Sequence, residues 1–413
     1  MDIYVVGVGM TPFGKFPQLR VKDLTEMAVN AALLDAGCDK NIIQAAFFAN
    51  TTQGVLEDQV FVPGPIALTS MGFSIIPMLT VENACSSGST AFWEAINYLL
   101  TGQADVTLAV GAEKMNVDNR EKSLSIFEGG WDIEVAGESL KTMIALGEGL
   151  EVPEGTTSPK SYSRFMDVYA GFARYHMKHY GLTQRQIAAV CSKNHKHSIH
   201  NPRSYFRKDY SIEDVLNSNP ITYPLTLPMC APVTDGGAAA ILCTGAALDK
   251  YGFDRNRAIK IYSCELNGGR LGVPYDVTET SVTAMCAKKA YEKAGVGPED
   301  MDVAEVHDAT AVGEITVSEA IGLCPIGEGG ACAERGETSI GGRIPINTSG
   351  GLESKGHPIG ATGLGQIFEL VSQLRGECAE RQVENARFAV AENGGGLIGT
   401  EPAIMVVTVL GKA

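Results

Sequence analysis

Cys85 has both the type and the setting of a covalent nucleophile. It follows a strand-like run, Met78–Glu82, and precedes Ser86-Ser87-Gly88-Ser89 and a helix from Thr90. A thiol at that point faces free backbone N–H groups and the positive end of a helix dipole. Both effects favour thiolate and predict a lowered pKa, against the default of a small buried core residue. His357, in Gly356-His357-Pro358-Ile359-Gly360, is placed to take the Cys85 proton if the two segments meet. Standing alone, a His in a Gly-rich loop is more often a turn residue. His307-Asp308 follows the strand-like Val303–Val306, at a carboxyl strand end where α/β sheets open their ligand crevices. A neutral His307 there can donate to a developing oxyanion. Asp308 either orients that ring or caps the next helix. Asn393-Gly394-Gly395-Gly396 lies beyond the last strand of its half, and its backbone N–H groups can approach a ligand as a second oxyanion site; alone, a glycine triplet is only a flexible turn.

The elements that carry these residues repeat. Ile3–Val6 has a counterpart in Ile259–Tyr262, and the amphipathic helix Asp23–Gly37 has one in Ser281–Gly295. A shift of 258 carries Thr25 onto Thr283 and Ala46 onto Ala304, and a shift of 272 carries Cys85 onto His357, Gly88 onto Gly360 and Thr90 onto Thr362. Val106–Val110 matches Phe388–Val390. A duplicated α/β unit follows, and its alternation of strands and helices predicts a mainly parallel sheet buried on both faces. The expected organisation is a first half over 1–120, an inserted loop domain over 121–230, the end of the first half over 231–257 and a second half over 258–413. Duplication brings the two helix starts together, which is what turns His357 from a turn residue into the partner of Cys85.

Composition narrows the function. The chain has 413 residues, 45% hydrophobic, with 33 basic against 48 acidic side chains and a net charge of −15. That balance excludes a general nucleic-acid binder, and no apolar run approaches the roughly 18 residues that span a bilayer. No secretory signal opens the sequence, and Gly411-Lys412-Ala413 is not a peroxisomal address, so a cytoplasmic protein is expected. Ten cysteines without a Cys-x-x-Cys pair read as reduced thiols. No metal is expected: His195, His197 and His200 lack a nearby Cys or acidic cluster and read as a solvated helix face. Gly7-Val8-Gly9 with Gly14 has the wrong spacing for a dinucleotide loop. Lys193, Lys196, Arg203, Arg207 and Lys208 form a basic island suited to the phosphates of an anionic ligand, or else a solvated charge run.

Asn83-Ala84-Cys85-Ser86-Ser87-Gly88, Gly111-Ala112-Glu113-Lys114-Met115, Asp235-Gly236-Gly237-Ala238-Ala239 and Gly356-His357-Pro358-Ile359-Gly360-Ala361-Thr362-Gly363 resemble, in order, the motifs of the thiolases. Val306-His307-Asp308 is similar to the sterol-carrier-protein type, where HDCF replaces NEAF, and Tyr180–Pro202 to its archaeal and bacterial members. The resemblance implies the five-layer αβαβα thiolase fold and a loop domain that holds coenzyme A through the basic island. It implies acyl-CoA C-acyltransferase activity with coenzyme A as substrate, no tightly bound cofactor, and a homodimer or tetramer. Relatives of the archaeal-like branch often work with a small zinc-ribbon/OB-fold partner, so the resemblance implies such a partner here as well. Cys85 would carry the acyl group, His357 would activate it, His307 would hold the thioester oxygen, and the N–H groups of Cys85 and Gly394–Gly396 would bind the acyl-enzyme oxyanion.

The sequence departs from the family twice. The terminal Cys-x-Gly of ordinary thiolases is replaced by Glu392-Asn393-Gly394, which makes Glu392 either the second acid/base or a helper where substrate or water completes the proton transfer. HDCF has become His307-Asp308-Ala309-Thr310, which loses an aromatic beside the substrate. The expected substrate is therefore a bulky, branched or aromatic 3-oxoacyl-CoA such as benzoylsuccinyl-CoA, cleaved by coenzyme A or formed in reverse. Two other readings are a β-ketoacyl-synthase-like condensing enzyme, which would release CO₂ from a malonyl donor, and a non-cleaving acyl-CoA-binding subunit.

Overall fold

The computed structural model describes residues 1–412. Its strands are β1 (Ile3–Met10), β2 (Ala45–Ala49), β3 (Met78–Val81), β4 (Val106–Glu113), the short hairpin β5 (Pro220–Thr222) and β6 (Leu225–Thr226), β7 (Gly236–Thr244), β8 (Ile259–Gly268), β9 (Val303–Glu305), β10 (Phe388–Gly395) and β11 (Ile404–Lys412). Nine of them run in the order β3-β2-β4-β7-β1-β8-β11-β10-β9. The order reads inward to the same pattern from both ends: β2, β4, β7 and β1 match β9, β10, β11 and β8. The two halves join where Ile3–Val5 of β1 faces Ile259–Ile261 of β8.

The sheet is mixed, where the repeat predicts a mainly parallel one. Only β2–β3, β2–β4 and β9–β10 are parallel. The last strand of each half, β7 or β11, enters antiparallel between two strands already laid down. It arrives by a return connection rather than a helical crossover, and a return reverses its direction. Burial on both faces is as expected: β1, β2, β4 and β7 are buried at every position.

Helices complete five layers. Val21–Ala36 covers β1 and β7 on one outer face, and Val282–Ala294 covers β8 and β11 on the other. Between the half-sheets lie Ser87–Leu100 and Thr362–Arg375, whose Phe92, Ala95, Leu99, Leu364, Ile367 and Leu370 share one apolar core with both sheets. Gly7 and Gly9 serve this packing rather than a nucleotide. A Cβ on Gly7 would fall 2.4 Å from the Ala32 carbonyl oxygen, and one on Gly9 would fall 2.2 Å from that of Ala28.

Between β4 and β7 the chain makes an excursion that includes helices Phe165–Tyr180 and Gln184–Ser198. Its core (Ala170, Ala173, Ile187, Val190) packs on Ala311, Val312 and Ile315 of the helix Ala311–Ala320. The neck is pinned by Asp235, which accepts from the backbone N–H groups of Met115 and Asn116 at 2.8 Å and pairs with Lys114 at 2.6 Å. All ten cysteines are free thiols. Among the described residues no helix is long and apolar enough to cross a membrane.

Candidate active site

The turn that carries Cys85 is tight and self-bonded. Ala84 adopts a left-handed φ of +48°, the Asn83 carbonyl accepts from the Ser86 N–H at 3.1 Å, and the Ser87 hydroxyl oxygen accepts from the Asn83 N–H at 2.8 Å. A non-glycine residue in that region costs about 1 kcal/mol or more, and it holds the thiol against the start of the helix Ser87–Leu100. The expected thiolate is not what the structure shows. Burial pushes the Cys85 thiol up to about 12, with Glu82 and Glu113 adding to the rise, and the backbone N–H contribution only partly opposes it. Cys85 rests as a neutral thiol, because the cost of desolvating a charge exceeds what a helix end returns.

His357 lies beside it, with Nε2 3.3 Å from Cys85 Sγ. The matched helix starts meet because two glycines leave room: a Cβ on Gly88 would fall 2.8 Å from the Gly360 carbonyl oxygen, and one on Gly111 would fall 2.0 Å from it. Glu113 fastens the contact by accepting from the Gly360 N–H at 2.9 Å. Gly111→Ala is expected to destabilise the fold by about 2 kcal/mol or more, measured by urea unfolding, since the overpacked atom is backbone and has nowhere to move. Thr362 Oγ lies 2.6 Å from His357 Nδ1 and also 3.1 Å from the Pro358 carbonyl oxygen. Its single proton goes to that carbonyl, so Thr362 accepts from Nδ1–H and leaves Nε2 with a lone pair facing the thiol. Burial holds the His357 ring well below its usual pKa, so it is a neutral base.

Two more groups complete the pocket. His307 follows β9, its ring centroid 5.3 Å from that of His357, and burial pulls it down to about 4. Glu392 sits in β10, beside β9 in parallel register, and its Oε2 accepts from the His307 backbone N–H at 2.9 Å. Burial pushes the Glu392 carboxyl up to about 8, and its Oε1 is buried without a partner. Cys85, His307, His357 and Glu392 line one cavity of about 660 Å³, whose walls are largely apolar and aromatic. A neutral thiol, two neutral imidazoles and a carboxylic acid poised near neutrality can transfer protons around one reacting carbonyl.

The other expected residues divide. Gly394 and Gly396 line the cavity, while Asn393 and Gly395 do not. Asn393 through Gly395 belong to β10 rather than lying beyond it, because the pairing with β11 runs to Gly395 opposite Ile404. Asn393 turns to the Ser89 hydroxyl, which donates to its Oδ1 at 2.9 Å. Asp308 neither orients His307 nor caps the next helix, Ala311–Ala320, whose N-cap is Thr310. It accepts from the Leu352 N–H at 2.8 Å and from Asn194 Nδ2 at 3.3 Å, tying the His307 segment to the loop before His357.

None of the basic island lines the cavity. Lys193 is buried and paired with Glu314 at 2.8 Å. Arg203 donates from Nε to the Met10 carbonyl at 3.2 Å and lies over the Phe368 ring. These two cations are structural. Lys196, Arg207 and Lys208 are exposed. The histidine run is not a solvated face either: His195 and His197 are buried by neighbouring elements, and only His200 is exposed, paired with Glu380 at 2.7 Å.

Sequence reasoning missed Thr362 as the holder of His357, although its match to Thr90 in the repeat was a usable signal. It also missed Tyr169, Phe172 and Tyr275 in the cavity wall, and Arg120, the single Lys or Arg among the lining residues. Phe165, Tyr169 and Phe172 recur at helical spacing, an aromatic stripe that points into the site.

Comparison with known proteins settles the family. A model described as "Thiolase, N-terminal domain" matches residues 3–213, and one described as "Thiolase C-terminal domain-like" matches residues 271–411. The chain belongs to the thiolase family. This thiolase-family chain is 36% identical over 406 residues to Sterol carrier protein 2 of Oryctolagus cuniculus, covering 95% of this chain and 69% of that protein. It is 34% identical to an Acetyl-CoA acetyltransferase of Methanothermobacter thermautotrophicus, with 97% of each chain covered. It is 31% identical to the Benzoylsuccinyl-CoA thiolase subunit BbsB of Thauera aromatica, covering 92% and 91%. Among solved structures it shares the fold of an Ltp2-ChsH2(DUF35) aldolase, with TM-score 0.77, 21% identity and 100% and 98% covered. It also shares that of human mitochondrial 3-ketoacyl-CoA thiolase in complex with CoA, with TM-score 0.67, 18% identity and the same coverage. The chain is an enzyme, a thiolase-type acyl-CoA acyltransferase with the thiolase fold.

Proposed function

We propose that this enzyme cleaves a 3-oxoacyl-CoA with coenzyme A, or runs the reverse Claisen condensation, through an acyl group on Cys85. The observation that carries the reading is the 3.3 Å contact between Cys85 Sγ and the unprotonated Nε2 of His357 inside the cavity. Both partners rest neutral, so the thiol proton passes to Nε2 as sulfur attacks the 3-oxo carbon. The resulting oxyanion is taken up by the N–H groups of Cys85 and of the Gly394–Gly396 segment. The C2–C3 bond then breaks, the protonated Glu392 returns a proton to the departing carbanion, and His307 holds the thioester oxygen of that fragment. Coenzyme A then gives its thiol proton to the Glu392 carboxylate and attacks the acyl carbon, and the departing Cys85 sulfur takes its proton back from His357, which restores both groups.

A bulky or aromatic acyl group fits the cavity wall, where Phe172 and Tyr275 stack at 4.6 Å between ring centroids and Trp131 backs Phe165 at 4.8 Å. The relative that acts on benzoylsuccinyl-CoA supports the same class. The phosphates of coenzyme A are assigned to Arg120 at the cavity and to the exposed Lys196, Arg207 and Lys208. Two partners belong to the proposal. The outer edge of β3 ends the sheet beside exposed Phe61, Ile75 and Leu79, which supports a homodimer across that edge. The aldolase neighbour contains a DUF35 chain, which supports a small zinc-ribbon/OB-fold subunit.

The test is purified enzyme with a panel of straight-chain, branched and aryl 3-oxoacyl-CoA esters plus coenzyme A, with products resolved by mass. Coenzyme A-dependent cleavage with the highest kcat/KM on an aryl or branched ester is expected; no cleavage of any ester removes the proposal. Thr362→Val is expected to slow acylation of Cys85 about tenfold or more by freeing the wrong imidazole tautomer, whereas Thr362→Ser stays close to the parent, as stopped-flow acylation will read.

A further inference from the structure

A thiol and two imidazoles that converge in an open cavity offer more than proton transfer. The ligand-capable atoms of Cys85, His307 and His357 all lie within 4.8 Å of one another, and among the described residues no other His, Cys, Asp or Glu trio comes as close. A tetrahedral zinc ion with Zn–S of about 2.3 Å and Zn–N of about 2.0–2.1 Å sets its ligands roughly 3.4–3.6 Å apart. Cys85 Sγ and His357 Nε2 already stand at 3.3 Å. His307 closes the remainder by a ring rotation, and its Nε2 is buried with no hydrogen-bond partner, so that nitrogen gives up no bond when the ring turns.

The group behind His357 also fits a metal. A ligating imidazole almost always donates its other ring N–H to a fixed acceptor, and Thr362 supplies that acceptor to His357 Nδ1 at 2.6 Å. Thiolate and imidazole together select a soft or borderline cation such as Zn²⁺ over Mg²⁺ or Ca²⁺. Three protein ligands leave a fourth position, which opens on the 660 Å³ cavity and takes water.

We propose that Cys85, His307 and His357 form a three-ligand site for Zn²⁺, whose binding reversibly silences the enzyme. The ion forms one Zn–S and two Zn–N bonds, the Cys85 thiol proton leaves to solvent, and no oxidant or reductant takes part. A bound ion occupies the nucleophile and its base together, so acylation and metal binding exclude each other. The histidines at 195, 197 and 200 make no competing site. His197 accepts from the Ile340 N–H through Nε2 and contacts the Asn347 carbonyl through Nδ1, and His200 is held by Glu380.

The test uses the reduced, chelator-treated full chain with Co²⁺ as a spectroscopic probe and Zn²⁺ as competitor, and so needs no turnover and no substrate. One equivalent of Co²⁺ is expected to raise a thiolate-to-cobalt charge-transfer band that Zn²⁺ abolishes. The band should be absent in Cys85→Ser and in enzyme acylated beforehand by an acyl-CoA. Affinity should fall at least tenfold in His307→Ala and return in His307→Cys, with circular dichroism and thermal unfolding checking that each variant folds. Turnover should be lost with one equivalent of Zn²⁺ and restored by EDTA. No thiolate band in the parent enzyme, or Zn²⁺ binding of equal strength in folded Cys85→Ser and His307→Ala, would overturn the proposal.

Discussion

Cys85→Ser is expected to lower turnover by about 10⁴-fold or more while leaving the urea midpoint of unfolding nearly unchanged. The size follows from the resting state of the site. The thiol is held neutral, pushed up to about 12 by burial, and still reacts because sulfur is intrinsically nucleophilic and its proton has a nearby base. A serine hydroxyl is less acidic than that thiol and a poorer nucleophile once desolvated, and the neutral His357 is too weak a base to make up the difference. Folding tolerates the change because sulfur and oxygen both fit a side chain that opens on a cavity. Incubation with an acyl-CoA followed by intact-mass measurement gives the direct check: an acyl adduct on the parent enzyme and none on the variant. An adduct of equal yield on Cys85→Ser would move the nucleophile elsewhere.

The parts of this site that the sequence made legible are those fixed by local chemistry and by duplication. The strand–Cys–small-residue–helix pattern located Cys85, and the repeat alone paired it with His357, because equivalent helix starts in a duplicated fold must converge when small residues such as Gly88 and Gly360 let them. Less legible was everything decided by what a side chain packs against. Lys193 looked like a phosphate ligand in a basic run, yet burial opposite Glu314 makes it a structural ion pair. His195 and His197 looked solvated because their own helix is polar, but Phe206 and Tyr210 of the same excursion pack on His195, and Ile340 and Asn347 of the second half bond His197. The same blindness gave Cys85 a lowered pKa: the helix end is local and visible in sequence, whereas the desolvation that outweighs it comes from the whole fold. Sheet direction failed for a separate reason: the chain returns antiparallel into β7 through the whole excursion after β4 and into β11 over residues 396–403, and the strand–helix alternation shows neither return.

Glu392→Gln is expected to slow cleavage by about 10²-fold or more while Cys85 is still acylated by a simple acyl-CoA. The carboxyl is buried at the cavity wall, one oxygen fixed by the His307 N–H and the other without a partner. Burial raises it to about 8, so at pH 7 it is mainly the neutral acid, the form needed to return a proton to the carbanion released in cleavage. Cleavage should therefore fall as pH rises through about 8, and condensation, which needs the carboxylate as base, should rise over the same range. Glutamine keeps the acceptor for His307 and the shape of the side chain, and it removes that limb from both profiles. The substitution should act on stability in the opposite sense to its effect on cleavage. The folded pKa lies above the unfolded value of about 4.3, so the native state binds this proton more tightly and loses stability as pH climbs from about 4.5 to 8. At about 1.4 kcal/mol per unit the residue costs the fold up to a few kcal/mol above pH 8, and Glu392→Gln should be the more stable protein at pH 9. Slower cleavage together with a higher unfolding midpoint at alkaline pH is the result that fits an acid kept neutral for catalysis. Near-parent cleavage with the alkaline limb intact would return the proton transfer to His307, substrate or water.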